Sequence, residues 1–118
     1  MAKQIIKNTA HDLAVKILSV ATETISPDEG IYDDVTPIGY AIKSLHWTQI
    51  NDGVGGHIEI IRTNGSENIV VYELAGNGNI NLVGLSDTLY SETHPVLVIN
   101  STLNSQHYTL LIHMTKII

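Results

Sequence analysis

The 118-residue chain has no cysteine and no phenylalanine, and only one tryptophan and three prolines. Without cysteine there is no disulfide framework, no thiolate ligand and no thiol nucleophile, and a reducing compartment is permitted. Basic residues are scarce too: six Lys and Arg stand against twelve Asp and Glu, a net charge of −6. An acidic chain with no basic stripe is a poor match for a phosphate backbone, so no nucleic-acid partner is expected. Lys3, Lys7 and Lys16 make the start locally basic, which reads as a short solvated arm. No apolar run approaches the ~20 residues of a spanning helix, so no membrane partner is expected. A clean secretion signal is also missing, because His11 and Asp12 precede the first apolar stretch and Lys16 interrupts it. Without a secretory route, the sequons at Asn64-Gly65-Ser66 and Asn100-Ser101-Thr102 are expected to be incidental.

What the chain does have is aliphatic: 43% of residues are hydrophobic, mostly Ile, Val and Leu, accompanied by nine glycines. β-Branched residues with Thr, Asn and Gly favour strands joined by tight turns. A chain of this length fits one core of the usual ~100–150 residues. Residues 1–12 read as a lead-in arm and residues 13–118 as the folded domain.

"LAVKILSVATETI", Leu13 to Ile25, reads mainly as strand, with a turn of helix before it as the alternative. "SPDEGIYDDVTPIG" is a loop by composition. In "YAIKSLHWTQI", Tyr40, Ile42, Ser44 and His46 compete with Ala41, Lys43, Leu45 and Trp47 for the inward face, and both orientations stay open. "NDGVGG" supplies a reversal. Asn64-Gly65 is the strongest hairpin signal, joining "HIEIIR" to "IVVYEL". "INLVGL" is a short strand, "SDTLYSETHP" a polar loop, "VLVIN" a buried strand, and "STLNSQ" a turn. The final "YTLLIHMTKII" alternates, with Tyr108, Leu110, Ile112 and Met114 on its apolar face. Seven or eight strands with a turn about every ten residues predict an all-β antiparallel sandwich or barrel.

The chemistry-bearing residues form no recognisable catalytic pattern. His57-x-Glu59 could share an ion, since i and i+2 point the same way on a strand. Zinc sites, however, need three or four converging ligands, and His46, His94, His107 and His113 are scattered. The pair therefore reads as the wet face of a hairpin, with no metal and no cofactor expected. Asp28, Glu29, Asp33 and Asp34 are oxygen ligands in one loop, but their spacing is not that of an EF-hand, and a solvated acidic loop is the better reading. "GVGG" and "GNGN" do not open a helix and read as turns. There is no Gly-x-Ser-x-Gly elbow, and no enzymatic activity is expected. Trp47 either anchors the core or offers a stacking platform for a sugar, and the core reading is favoured.

Several short motifs carry a family resemblance. They are "IIKNT" at Ile5 to Thr9, the I-x-x-L-x-W element of Ile42, Leu45 and Trp47, the I-x-I-x-R of Ile58, Ile60 and Arg62, and the L-x-G-x-G of Leu74, Gly76 and Gly78. In these the chain resembles small virion structural proteins of tailed bacteriophages, especially marine and cyanobacterial ones. It departs from them in the longer loop from Ser26 to Pro37 and in His57 and Glu59. The resemblance implies a β-sandwich or jelly-roll subunit of the virion, made in the host cytoplasm and attached to the capsid as a decoration (cement) protein. Its expected partners are the major capsid protein or other virion proteins, and copies of itself in a homotrimer. Ile5, Ile6, Ile61, Ile69, Ile117 and Ile118 are more apolar surface than one small core requires and are the expected interface. The alternative is a carbohydrate-binding β-sandwich with Trp47 as its platform.

Overall fold

The computed structural model describes residues 3–18, 22–49, 57–82, 92–101 and 108–118. The expected turn at 51–56, nearly all of the one at 101–106, the end of the "INLVGL" strand and most of the loop at 86–95 lie outside the described residues.

The fold is all-β, with nine strands among the described residues where seven or eight were expected. These are β1 (Lys3–Asn8), β2 (Asp12–Leu18), β3 (Thr22–Ile25), β4 (Gly39–Gln49), β5 (Ile58–Thr63), β6 (Asn68–Leu74), β7 (Gly78–Asn81), β8 (Val96–Ser101) and β9 (Tyr108–Ile117). They make a five-stranded sheet ordered β1-β2-β9-β4-β7 and a four-stranded sheet ordered β3-β8-β5-β6. The pairs β2–β9, β3–β8, β4–β7 and β5–β6 are nested, as if one long hairpin were doubled over and wound up. That winding is a jelly roll, with every ladder antiparallel.

The core lies between the sheets. Leu13, Val15, Ile17, Ile42, Leu45, Leu110, Ile112 and Met114 come from the five-stranded sheet, and Ile25, Ile58, Ile60, Leu74, Leu97 and Ile99 from the four-stranded one. β9 alternates as its sequence requires: Tyr108, Leu110, Ile112 and Met114 are buried and the residues between them are half-buried.

One expectation is corrected and two open readings are refined. Residues 3–8 are not a free arm but edge strand β1, paired with β2. The Lys3 ammonium donates to the Thr24 carbonyl (2.7 Å) and to Glu29 Oε1 (2.6 Å), with Glu23 3.4 Å away, which ties this edge to β3 of the opposite sheet. Burial opposes that charge, but Glu29 and Glu23 outweigh it and hold the Lys3 pKa above its ordinary value. Second, "LAVKILSVATETI" is two strands in different sheets, β2 and β3. Third, both competing faces of β4 point inward, each for half its length. A bulge between Ile42 and Ser44 leaves Lys43 as the extra residue. Before it Tyr40 and Ile42 are buried, and after it Leu45 and Trp47. One inserted residue inverts the period-2 phase.

Two of the tight turns among the described residues divide the work differently from the sequence expectation. At Asn64-Gly65 only the glycine takes a positive φ, of 95°. Asn64 acts through its side chain, whose Oδ1 accepts from the Ser66 N–H (2.9 Å) and the Glu67 N–H (2.8 Å). The two-residue turn with both centres left-handed is in the acidic loop instead. Tyr32 and Val35 exchange both backbone hydrogen bonds there, around Asp33 and Asp34 at φ 52° and 62°.

Candidate functional site

Two surfaces stand out: an apolar end of the sandwich and a polar row on the outer face of the four-stranded sheet. The first begins with the loop from Ile31 to Ile38. The carbonyl of Ile117 accepts from the Ile38 N–H at 2.6 Å, and the Asn8 side chain donates to the Ile31 carbonyl at 3.1 Å. These bonds seat the loop where β9 and β1 end. Lys116, buried beneath it, reaches Asn8 Oδ1 and the Thr9 carbonyl and lies 5.5 Å from the centre of the Tyr32 ring. Burial pulls the Lys116 pKa down, with Asp12 opposing. Around this seat Ile31, Tyr32, Val35, Ile38 and Ile118 are all exposed, Ile38 at 50% and Ile118 at 63%.

The expected interface residues divide. Ile5, Ile6 and Ile118 are exposed. Ile61, Ile69 and Ile117 are half-buried. Ile61 lies in an outward row across the four-stranded sheet with Val98 on one side and exposed Val70 on the other. Ile69 pairs with the fully buried Arg62 and so faces inward. The loop residues Ile31, Tyr32, Val35 and Ile38 were not expected. Their only signal is four large apolar residues inside an otherwise polar, Pro- and Asp-rich stretch.

Trp47 is a core residue, 8% exposed. Its indole N–H donates to the Ala75 carbonyl at 3.1 Å, and its ring lies against Gly78, where an added Cβ would come within 2.7 Å of Cζ2. An indole held inside the sandwich offers no exposed face for a sugar, so the platform role does not fit this position.

The polar row brings together more than the sequence showed. His57 and Glu59 share the outer face, as expected, with His57 Nε2 3.5 Å from Glu59 Oε2. Glu73 joins them from β6, directly opposite Glu59 in the ladder. Among the described residues this is the one group of three or more His, Asp or Glu side chains whose ligand atoms converge, within 4.8 Å of one another. The carboxylates of Asp28, Glu29, Asp33 and Asp34 form no such group. The acidic loop uses Glu29 to hold Lys3 and places Asp33 and Asp34 at its exposed tip.

Elsewhere His94, buried, bonds Glu67 Oε1 through Nε2 at 2.7 Å and Thr93 Oγ1 through Nδ1 at 2.8 Å. This fastens the approach to β8 onto the β5–β6 turn.

No protein-family model matches the chain, and the comparisons with curated proteins and with solved structures return no match.

Proposed function

We propose that this chain is a non-enzymatic structural subunit of a tailed-phage virion, a decoration protein. In this reading it binds the major capsid protein, or another virion protein, and associates with its own copies as a homotrimer. One observation carries it. Ile31, Tyr32, Val35, Ile38 and Ile118 are exposed together at one end of a sandwich whose interior is already filled. A monomer gains nothing from apolar surface held in water by a hydrogen-bonded loop, whereas a neighbouring subunit covering it does. Edge strand β1, with Ile5 and Ile6 exposed, adds unpaired backbone groups of the kind that accept a strand from another chain.

The reading requires no reacting groups, only a rigid unit with a greasy end, and its workplace is the assembled particle. Mass spectrometry of purified virions from the phage encoding the chain should find it as a stoichiometric component. Replacing Ile31 and Ile38 by Ser should release it from particles while circular dichroism shows the β-sheet intact. Its absence from washed, intact particles would reject the proposal.

A further inference from the structure

We propose a divalent transition-metal site on the outer face of the four-stranded sheet, built by His57, Glu59 and Glu73. From the turn, Thr63 pairs with Asn68, Arg62 with Ile69 and Ile61 with Val70. Continued without interruption, that register would set Tyr72 opposite Glu59 and turn Glu73 toward the core. A bulge intervenes between Ile60 and Ile61, leaving Val71 as the extra residue. Beyond it Glu73 faces Glu59 directly, on the side that already carries His57. Bulges commonly re-aim a side chain in this way beside functional sites.

The arrangement is costly unless a positive charge joins it. Like charges directly opposite one another across a ladder destabilise the pair, yet this fold moves a second carboxylate onto the first. The donor set matches an ion. One imidazole nitrogen and two carboxylate oxygens lie within 4.8 Å of each other. Zinc bonds to such atoms are about 2.0–2.2 Å long, which puts the donors of one ion roughly 3–4 Å apart. Small side-chain rotations close that gap, and the His57–Glu59 distance of 3.5 Å already lies in range.

Glu59 is also steadied from behind. Asn100 Nδ2 donates to Glu59 Oε1 at 3.2 Å, and the Thr22 hydroxyl donates to Asn100 Oδ1 at 3.2 Å. Oε1 is thereby occupied and Oε2 is left on the His57 side. Such outer-shell bonds orient ligands and raise metal affinity. A nitrogen with two carboxylates suits Zn²⁺ or Mn²⁺ better than Ca²⁺, which takes six to eight oxygens. Bound across β5 and β6, the ion cancels the facing charges and pins the hairpin. The inference does not depend on the virion reading.

The test is calorimetric titration of the untagged, chelator-treated full chain with Zn²⁺, and with Ca²⁺ for comparison, at neutral pH. One Zn²⁺ per chain is expected, with clearly weaker Ca²⁺ binding. Affinity should fall at least ~10-fold in His57→Ala, Glu59→Gln and Glu73→Gln, and by about 10-fold in Asn100→Ala. Glu73→Gln should be no less thermally stable than wild type without metal, because it removes the facing charge, so its lost binding cannot be ascribed to unfolding. A His46→Ala/His113→Ala double variant on the other sheet should bind as wild type. Absence of Zn²⁺ binding, binding that survives Glu73→Gln, or binding lost with His46 and His113 would each overturn the site.

Discussion

Ile112 and Ile38 are the same residue in opposite circumstances. Ile112, in the middle of β9, is fully buried, whereas Ile38, at the end of the 31–38 loop, is half exposed. The difference separates two uses of apolar surface. The strands alone supply an interior of Leu, Ile, Val, Met, Tyr and Trp, closed from both sheets. The loop residues Ile31, Tyr32, Val35 and Ile38 are surplus to that interior, yet they are held in place by backbone pairing and by the bond from Ile38 to Ile117. Apolar side chains that folding does not need, fixed on an ordered support, are what contact with another molecule uses.

The same substitution made at both places should separate them widely. Ile112→Ala should lower unfolding stability by about 2–5 kcal/mol, through lost transfer energy and a cavity. Ile38→Ala should stay within about 0.5 kcal/mol, as exposed positions do. Urea denaturation measures both, and equal losses would abolish the distinction.

A change that overfills the core comes next. Gly78→Ala sets a methyl 2.7 Å from Cζ2 of Trp47, an indole also held by its bond to Ala75, and should cost about 1–3 kcal/mol. A red-shifted Trp emission would report the displaced ring.

Tyr40→Phe acts at the junction of core and loop. The buried Tyr40 hydroxyl donates to the Ser26 carbonyl (2.8 Å) and the Pro27 carbonyl (3.2 Å), and its loss should cost about 1–2 kcal/mol. Burial, helped by the nearby Glu29 and Asp28 carboxylates and opposed by a backbone bond at Gly30, pushes the Tyr40 pKa well up. The folded state therefore keeps a proton that the unfolded chain releases. This stabilisation is complete below pH about 10 and is lost as pH rises beyond it. Wild type should weaken over that alkaline range more steeply than Tyr40→Phe in pH-dependent thermal melts.

At the loop tip a modest gain is expected. Asp33 and Asp34 both hold positive φ, which costs an L-residue with a side chain, and Asn-Gly is the pair this turn prefers. The double change Asp33→Asn, Asp34→Gly should gain about 0.5–1 kcal/mol without altering association.

How much of this could be read from the chain follows from where period-2 alternation is unbroken. β9 and β5 were legible because alternation runs clean through them, and the all-β class follows from such segments. β4 was not, because Lys43 is an inserted residue and the sequence on either side obeys opposite phases. Glu73 was missed for the same reason. Counting back from the turn gives it the wrong face until the extra residue at Val71 is known. β1 was missed because "KQIIKN" is short, edge-placed and mostly exposed, and its place in the sheet is set by pairing and by Lys3 rather than by pattern. The exposed end was hidden because its four apolar residues sit in a stretch whose Pro and Asp content announces only a loop.

Sedimentation velocity over a wide concentration range shows whether the apolar end seats a copy of the chain. The wild-type protein should sediment as a trimer, and a variant with Ser at Ile31, Tyr32, Ile38 and Ile118 as a folded monomer. A wild-type chain that remains monomeric at the highest concentration reached, or a variant that still trimerises, would contradict that seating.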